Sequence, residues 1–142
     1  MPSQPIRWRM HISVPPEHVF AALDSADGRA SFWAESAPEI DGHIIFQFIN
    51  GLSYRSRILE RRAPDLWAIE YFGGRVTFNV TDDGSSGTEL LLTHDDVAER
   101  DWNDVHAGWL NVLFPLKAWI TFGIDLRNHD PTRSWDEGYA DQ

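Results

Sequence analysis

Cysteine is absent from the 142 residues, lysine occurs once, at Lys117, and methionine twice. Without cysteine there is no disulfide framework, zinc–thiolate site, iron–sulfur cluster or cysteine nucleophile. Long apolar runs are missing too. The longest candidate, residues 109–124, is broken by Asn111, Pro115, Lys117 and Thr121, and falls short of the roughly 18 apolar residues that span a bilayer. Residues 1–10 alternate apolar and charged side chains in place of an apolar signal core. Positive charge is scarce: twelve Lys and Arg face twenty-two Asp and Glu, for a net charge of -10. Such a surface does not suit nucleic acid or an anionic membrane, which need a basic face. The expectation is a soluble, cytoplasmic protein with no nucleic-acid partner and no membrane insertion.

What the chain does have is aromatic residues and a patterned layout. Seven Trp, eight Phe and three Tyr lie in a length that suits one domain, 1–142, with a sizeable core. The acidity is uneven. Residues 1–80 hold nine acids and eight bases, whereas residues 81–142 hold thirteen acids and four bases. An acidic second half reads first as a solvated face or tail.

Period-two alternation marks the first strand: Ile6, Trp8, Met10, Ile12 and Val14 are apolar, and Arg7, Arg9, His11 and Ser13 stand between them. Pro15-Pro16 ends it and can open a helix carrying Val19, Phe20 and Leu23. Asp27-Gly28 breaks that helix, and a second short one reaches Phe32-Trp33. Residues 43–94 are sheet-like. Strands over 43–49, 52–62, 67–72, 75–81 and 88–94 are separated by Asn50-Gly51, Pro64-Asp65, Gly73-Gly74 and a polar turn over 82–87. Then Trp102, Val105, Trp109, Val112, Leu113, Leu116 and Ile120 step by threes and fours as one long helix. Asp101 is its expected N-cap. Pro115 predicts a bend or break, because it removes a hydrogen bond to the Asn111 carbonyl and crowds that turn. The core is expected over about residues 6–124. The tail, 125–142, is expected to pack on the body or on a partner subunit through Trp135 and Tyr139. The fold class is α+β: a curved antiparallel sheet of about six strands around a long C-terminal helix, with one or two short helices after strand 1.

Several segments, in this order, resemble the START-like (helix-grip, SRPBCC) superfamily, and within it the branch named after the activator of Hsp90 ATPase. Residues 14–20, Val-Pro-Pro-Glu-His-Val-Phe, resemble its entry segment, and Phe32-Trp33 its aromatic pair. Ile58-Leu59-Glu60 before Pro64, then Gly87-Thr88-Glu89-Leu90 running to Leu92-Thr93-His94, and finally Gly108-Trp109 with Leu113, Leu116 and Lys117 complete the set. The resemblance spans about residues 6–120. It implies an apolar cavity between sheet and helix, in a superfamily that binds lipids, hormones or polyketide intermediates and includes cyclases and hydrolases. Pro115 and the tail beyond 125 depart from the pattern.

The aromatic residues supply the site candidates. Phe32, Trp33, Phe46, Phe48, Tyr54, Tyr71, Phe78 and Trp109, with Leu92, Leu113 and Leu116, can line such a cavity or simply fill the core. His94 and His106 are the titratable pair that could form its polar pole, or can be half-exposed histidines with local hydrogen bonds. They lack a metal-ligand spacing, and neither HExxH, an EF-hand loop nor a phosphate loop occurs, so no metal and no cofactor is expected. The acids Asp95, Asp96, Glu99 and Asp101 read as a solvated capping loop. Arg55, Arg57, Arg61, Arg62 and Arg75 read as outer-face partners of Glu60, Glu70 and Glu89. No nucleophile-elbow context surrounds Ser13, Ser53 or Ser56, and no catalytic residue is assigned. The leading expectation is a binding module for a small hydrophobic or aromatic molecule, whose polar end meets Tyr54, His94 or His106. The alternatives are a polyketide-cyclase-like or hydrolase-like enzyme using the same cavity, and a chaperone-associated interaction protein. A homodimer is compatible with the aromatic tail.

Overall fold

The computed structural model describes residues 4–142. Residues 1–3, with the start of the segment read for a signal core, lie outside the described residues.

Seven strands form one antiparallel sheet in the order β1-β7-β6-β5-β4-β3-β2. They are β1 (Ile6–Ile12), β2 (Glu39–Ile40), β3 (His43–Gln47), β4 (Ser53–Arg62), β5 (Leu66–Tyr71), β6 (Gly74–Asp82) and β7 (Thr88–His94). The strand beyond the expected six, β2, is two residues long and exposed, too short for a periodic pattern. α1 (Pro16–Leu23) and α2 (Ala26–Phe32) follow β1. A 3₁₀ turn (Glu99–Asp101), α3 (Trp102–Gly108) and α4 (Leu110–Phe122) follow β7.

Strand alternation sets the core. In register across the sheet, Trp8 pairs with Leu92, Leu92 with Phe78 and Phe78 with Trp67. The next inner row runs Ile6, His94, Val76, Ile69 and Ile58. These side chains project from one face, because successive residues of a strand point to opposite sides. A register shift between Ile58 and Glu60 bends β4, as an extra residue in one strand does. α4 packs against α1, α2 and β1 and drives Leu113, Pro115 and Leu116 into the core. Inside it Trp33 is a hub, with ring centroids 4.8 Å from Phe46, 5.5 Å from Tyr71, 5.7 Å from Trp109 and 5.9 Å from Phe78.

The expected long helix is divided, but not at Pro115. The break falls at Trp109, and Pro115 lies buried inside an unbroken α4. A proline ring presses on the carbonyl four residues earlier, here that of Asn111. The break lies instead next to Gly108, a weak helix former, where the His106 carbonyl accepts from Trp8 Nε1 at 2.9 Å. At the other end, Asp101 occupies the N-cap position of α3 without a side-chain capping bond, in a helical conformation instead of an extended one. The turn between β5 and β6 is Phe72-Gly73, with Gly74 already in β6.

The tail returns to the body. The Arg127 guanidinium, 5% exposed, donates to the carbonyls of Ala34 at 2.9 Å and Ala30 at 2.8 Å. It thereby satisfies carbonyls in the last turn of α2 and just beyond it. His129 places Nδ1 2.7 Å from Glu35 Oε1 and Nε2 2.6 Å from Asp125 Oδ2. Asn50 Nδ2 donates to Asp136 at 2.7 Å, joining the β3–β4 turn to the tail.

Candidate functional site

One end of the sheet is open. The β3–β4 and β5–β6 turns, the loop after β7, α3, the start of α4 and the tail enclose a cleft of about 630 Å³. Trp33, Phe48, Tyr71, Phe72, Trp109 and Trp135 form its aromatic wall, with Leu52, Val97, Val105 and Val112 between them. A smaller groove of about 490 Å³, between α1 and the β4–β5 turn, has Phe20 as its single aromatic residue. The first has the apolar and aromatic lining of a small-molecule site, within the usual size range of roughly 300–1,000 Å³.

The wall is fixed from within by hydrogen bonds. Trp109 Nε1 is 3.0 Å from His94 Nδ1, and His94 Nε2 is 3.2 Å from the Tyr71 carbonyl oxygen. An indole nitrogen only donates and a carbonyl only accepts. His94 must therefore be neutral, accepting at Nδ1 and donating from Nε2. Burial agrees: His94 is 3% exposed, and desolvation holds its pKa below the ordinary histidine value. Trp33 Nε1 donates to the Tyr71 hydroxyl at 3.2 Å. Burial pushes the Tyr71 hydroxyl well above the usual tyrosine range, so it stays protonated.

The expected site residues are dispersed by position along their elements. Of them, Trp33, Phe48, Tyr71, His94 and Trp109 meet at the cleft. Phe32, Phe46, Phe78, Leu92, Leu113 and Leu116 are buried deeper in the core. The Tyr54 hydroxyl donates to Glu70, and the Tyr54 ring stacks on Phe72, 4.0 Å between centroids. His106 lies apart from His94, sandwiched between Trp8 at 4.4 Å and Trp102 at 4.6 Å. The two histidines thus serve separate places: His94 locks the cleft wall, and His106 pins α3 to β1.

Sequence reasoning did not select Phe72, Gly108 or Val112 for the site. Phe72 holds φ 49° at the β5–β6 turn, an unfavoured conformation for a bulky side chain. An aromatic residue before Gly73, where Asn or Asp would suit the turn, is the signal that was available. Among the acids, Asp96, Asp101, Asp104 and Asp136 stand on the cleft wall, against Arg100. The outer-face arginines are partly paired as expected: Arg62 and Arg75 approach Glu60. Arg61 instead reaches Asp24 and Glu39. Among the described residues, no group of three His, Asp or Glu is placed to hold a metal, and no helix is long and apolar enough to cross a membrane.

No family model and no curated protein matches the sequence. Solved structures do. The protein SSP2350 from Staphylococcus saprophyticus superposes with a TM-score of 0.77 at 23% identity, over 87% of this chain and 96% of that one. The Aha1 dimer from Colwellia psychrerythraea superposes with a TM-score of 0.76 at 19% identity, over 85% and 98%. DynU16, from the dynemicin biosynthetic locus, superposes with a TM-score of 0.73 at 19% identity, over 87% of this chain and 49% of its own. All three are helix-grip proteins. At these identities the likeness shows the fold, and it is the fold that the sequence resemblance implied.

Proposed function

We propose, for a chain with this helix-grip fold, that its function is to bind a small hydrophobic or aromatic molecule in the cleft between the strand turns, α3, α4 and the tail. The observation that carries the proposal is the aromatic wall around about 630 Å³. A cleft walled by indoles and phenyl rings exposes apolar area that a ligand would cover. Binding draws mainly on apolar burial, at roughly 25 cal/mol per Å² before the costs of association. Both His94 ring nitrogens are occupied, which favours binding over general-base chemistry at that residue.

Trp33 and Trp109 make the test direct, since their fluorescence reports on the wall. Titration with a naphthalene-based probe is expected to quench it saturably. Gly108→Leu should abolish the response: a Cβ at Gly108 meets no atom within 4 Å, so the new side chain enters open space at the cleft. Saturable binding that persists at the same affinity in folded Gly108→Leu refutes this location.

One observation favours a second reading, assembly with a second copy or another protein. α4 carries exposed aromatic side chains: Phe114 is 53% exposed, Trp119 38% and Phe122 70%. Ile124 and Leu126, just beyond the helix, are exposed as well. Large exposed apolar side chains gathered on one helix and its exit suit an interaction site, and the Colwellia psychrerythraea relative in fold is described as a dimer. Light scattering at two concentrations, with Phe122→Asp as the disrupting variant, tests it.

A further inference from the structure

We propose that the Tyr71 hydroxyl is the polar anchor of the cleft, and that the ligand is a neutral aromatic molecule presenting a carbonyl oxygen to it. This rests on the reading of the cleft as a binding site and names the chemistry it selects. Around Tyr71 the polar hydrogens of the wall are engaged. The indole N–H of Trp109 is engaged by His94, that of Trp33 by Tyr71, and the His94 Nε2–H by the Tyr71 carbonyl. The Asn50 amide is held by Asp136, and the Asn111 amide donates to the Gln142 carbonyl at 3.3 Å. Tyr71 is different. Its oxygen accepts from Trp33, yet its own hydrogen has no acceptor among the described residues. A phenol that accepts one bond still has one to donate.

Three features define what can accept it. The ring neighbours are apolar and aromatic: Trp33, Trp109, Phe46 and Phe72 lie with centroids 4.7–5.5 Å from the Tyr71 ring. A flat aromatic body fits such walls, because rings pair in offset or edge-on geometry at these separations. The hydroxyl stays protonated, so it offers a donor and never an anion. The wall carries four carboxylates against one guanidinium, which disfavours a ligand whose acceptor is a carboxylate. A ketone or comparable carbonyl brings the acceptor without the charge.

The experiment compares 2-acetylnaphthalene with 2-ethylnaphthalene, two bodies of one shape that differ in the acceptor, and adds 2-naphthoate. Affinities are read by tryptophan quenching on wild type, Tyr71→Phe and Tyr54→Phe. The ketone-to-hydrocarbon affinity ratio should fall about fivefold in Tyr71→Phe, the net value of one hydrogen bond, and hold in Tyr54→Phe. At low salt 2-naphthoate should bind about tenfold more weakly than the ketone. The carbonyl stretch of bound 2-acetylnaphthalene should move to lower frequency in wild type, a readout that holds even where Tyr71→Phe does not fold. A ratio changed less than twofold in a folded variant, or an unshifted carbonyl stretch in wild type, overturns the anchor while leaving the cleft reading intact. If no naphthalene binds wild type, both fall.

Discussion

The hydrogen bond between Trp109 and His94 invites the sharpest perturbation. Trp109→Phe keeps an aromatic ring at a site 3% exposed and removes one atom of consequence, the Nε1–H that lies 3.0 Å from His94 Nδ1. The variant leaves a buried acceptor unpaired, a cost of about 1–3 kcal/mol. The lost ring volume adds about 1 kcal/mol. A total of about 2–4 kcal/mol is large against the roughly 5–15 kcal/mol of net stability of a domain. The pH dependence distinguishes the bond from simple loss of packing. Burial holds the folded His94 pKa below its ordinary value of 6.5. Its contribution to stability is therefore complete above about pH 6.5 and is lost as pH falls through the depressed folded value, since the unfolded chain takes up a proton first. In Trp109→Phe, Nδ1 is free to be protonated, so the variant loses less on acidification. Urea unfolding followed by circular dichroism, at pH 8 and pH 5, should find a larger destabilisation at pH 8. A loss below about 0.5 kcal/mol, or one equal at both pH values, refutes the assignment of His94 as a neutral, Nδ1-accepting lock.

Other outcomes follow from the tail and the helices. Arg127→Ala removes the donors to Ala30 and Ala34, and should lower stability by about 2 kcal/mol and raise amide exchange across residues 125–142. His129 responds to pH with the opposite sign to His94. Its bond to Asp125, then that to Glu35, raises its pKa against burial, so its support of the tail is complete below its unfolded value and is lost as pH rises through the folded one. Hydrogen-exchange protection of the tail, corrected for intrinsic rates, should fall over that rise. Asp125, which burial would push up, is held at about 2 by bonds from Arg127 and His129, so its share is lost as pH falls from the unfolded carboxylate range toward about 2. Gly108→Ala should raise stability by up to about 1 kcal/mol, since the position is helical and the added Cβ meets nothing.

Much of the sheet is legible in the sequence because its signal is local. β7 and the inner faces of β1 and β6 follow from alternation that any one-sided strand must carry. The division of the last helix at Trp109 is not legible in this way. Pro115 announces a distortion, whereas the division lies beside Gly108 and the His106 carbonyl that accepts from Trp8. The site is half legible. Periodicity groups side chains by strand face, and Phe46, Phe78 and Leu92 lie buried on the inner one. It does not say which end of the sheet stays open, and that alone separates Trp33, Tyr71 and Trp109 from those three. The tail is least legible: Arg127 holds it through the backbone carbonyls of Ala30 and Ala34, and such bonds leave no pattern in the partner's sequence. His106 shows the same limit, since its stack between Trp8 and Trp102 joins residues about a hundred positions apart.

Native mass spectrometry of the protein purified from its own source tests the binding claim most directly. The prediction is a second species heavier by the mass of one small organic molecule, released on mild activation and missing from Gly108→Leu. Bare protein in wild type, together with no saturable quenching by any naphthalene probe, would contradict it.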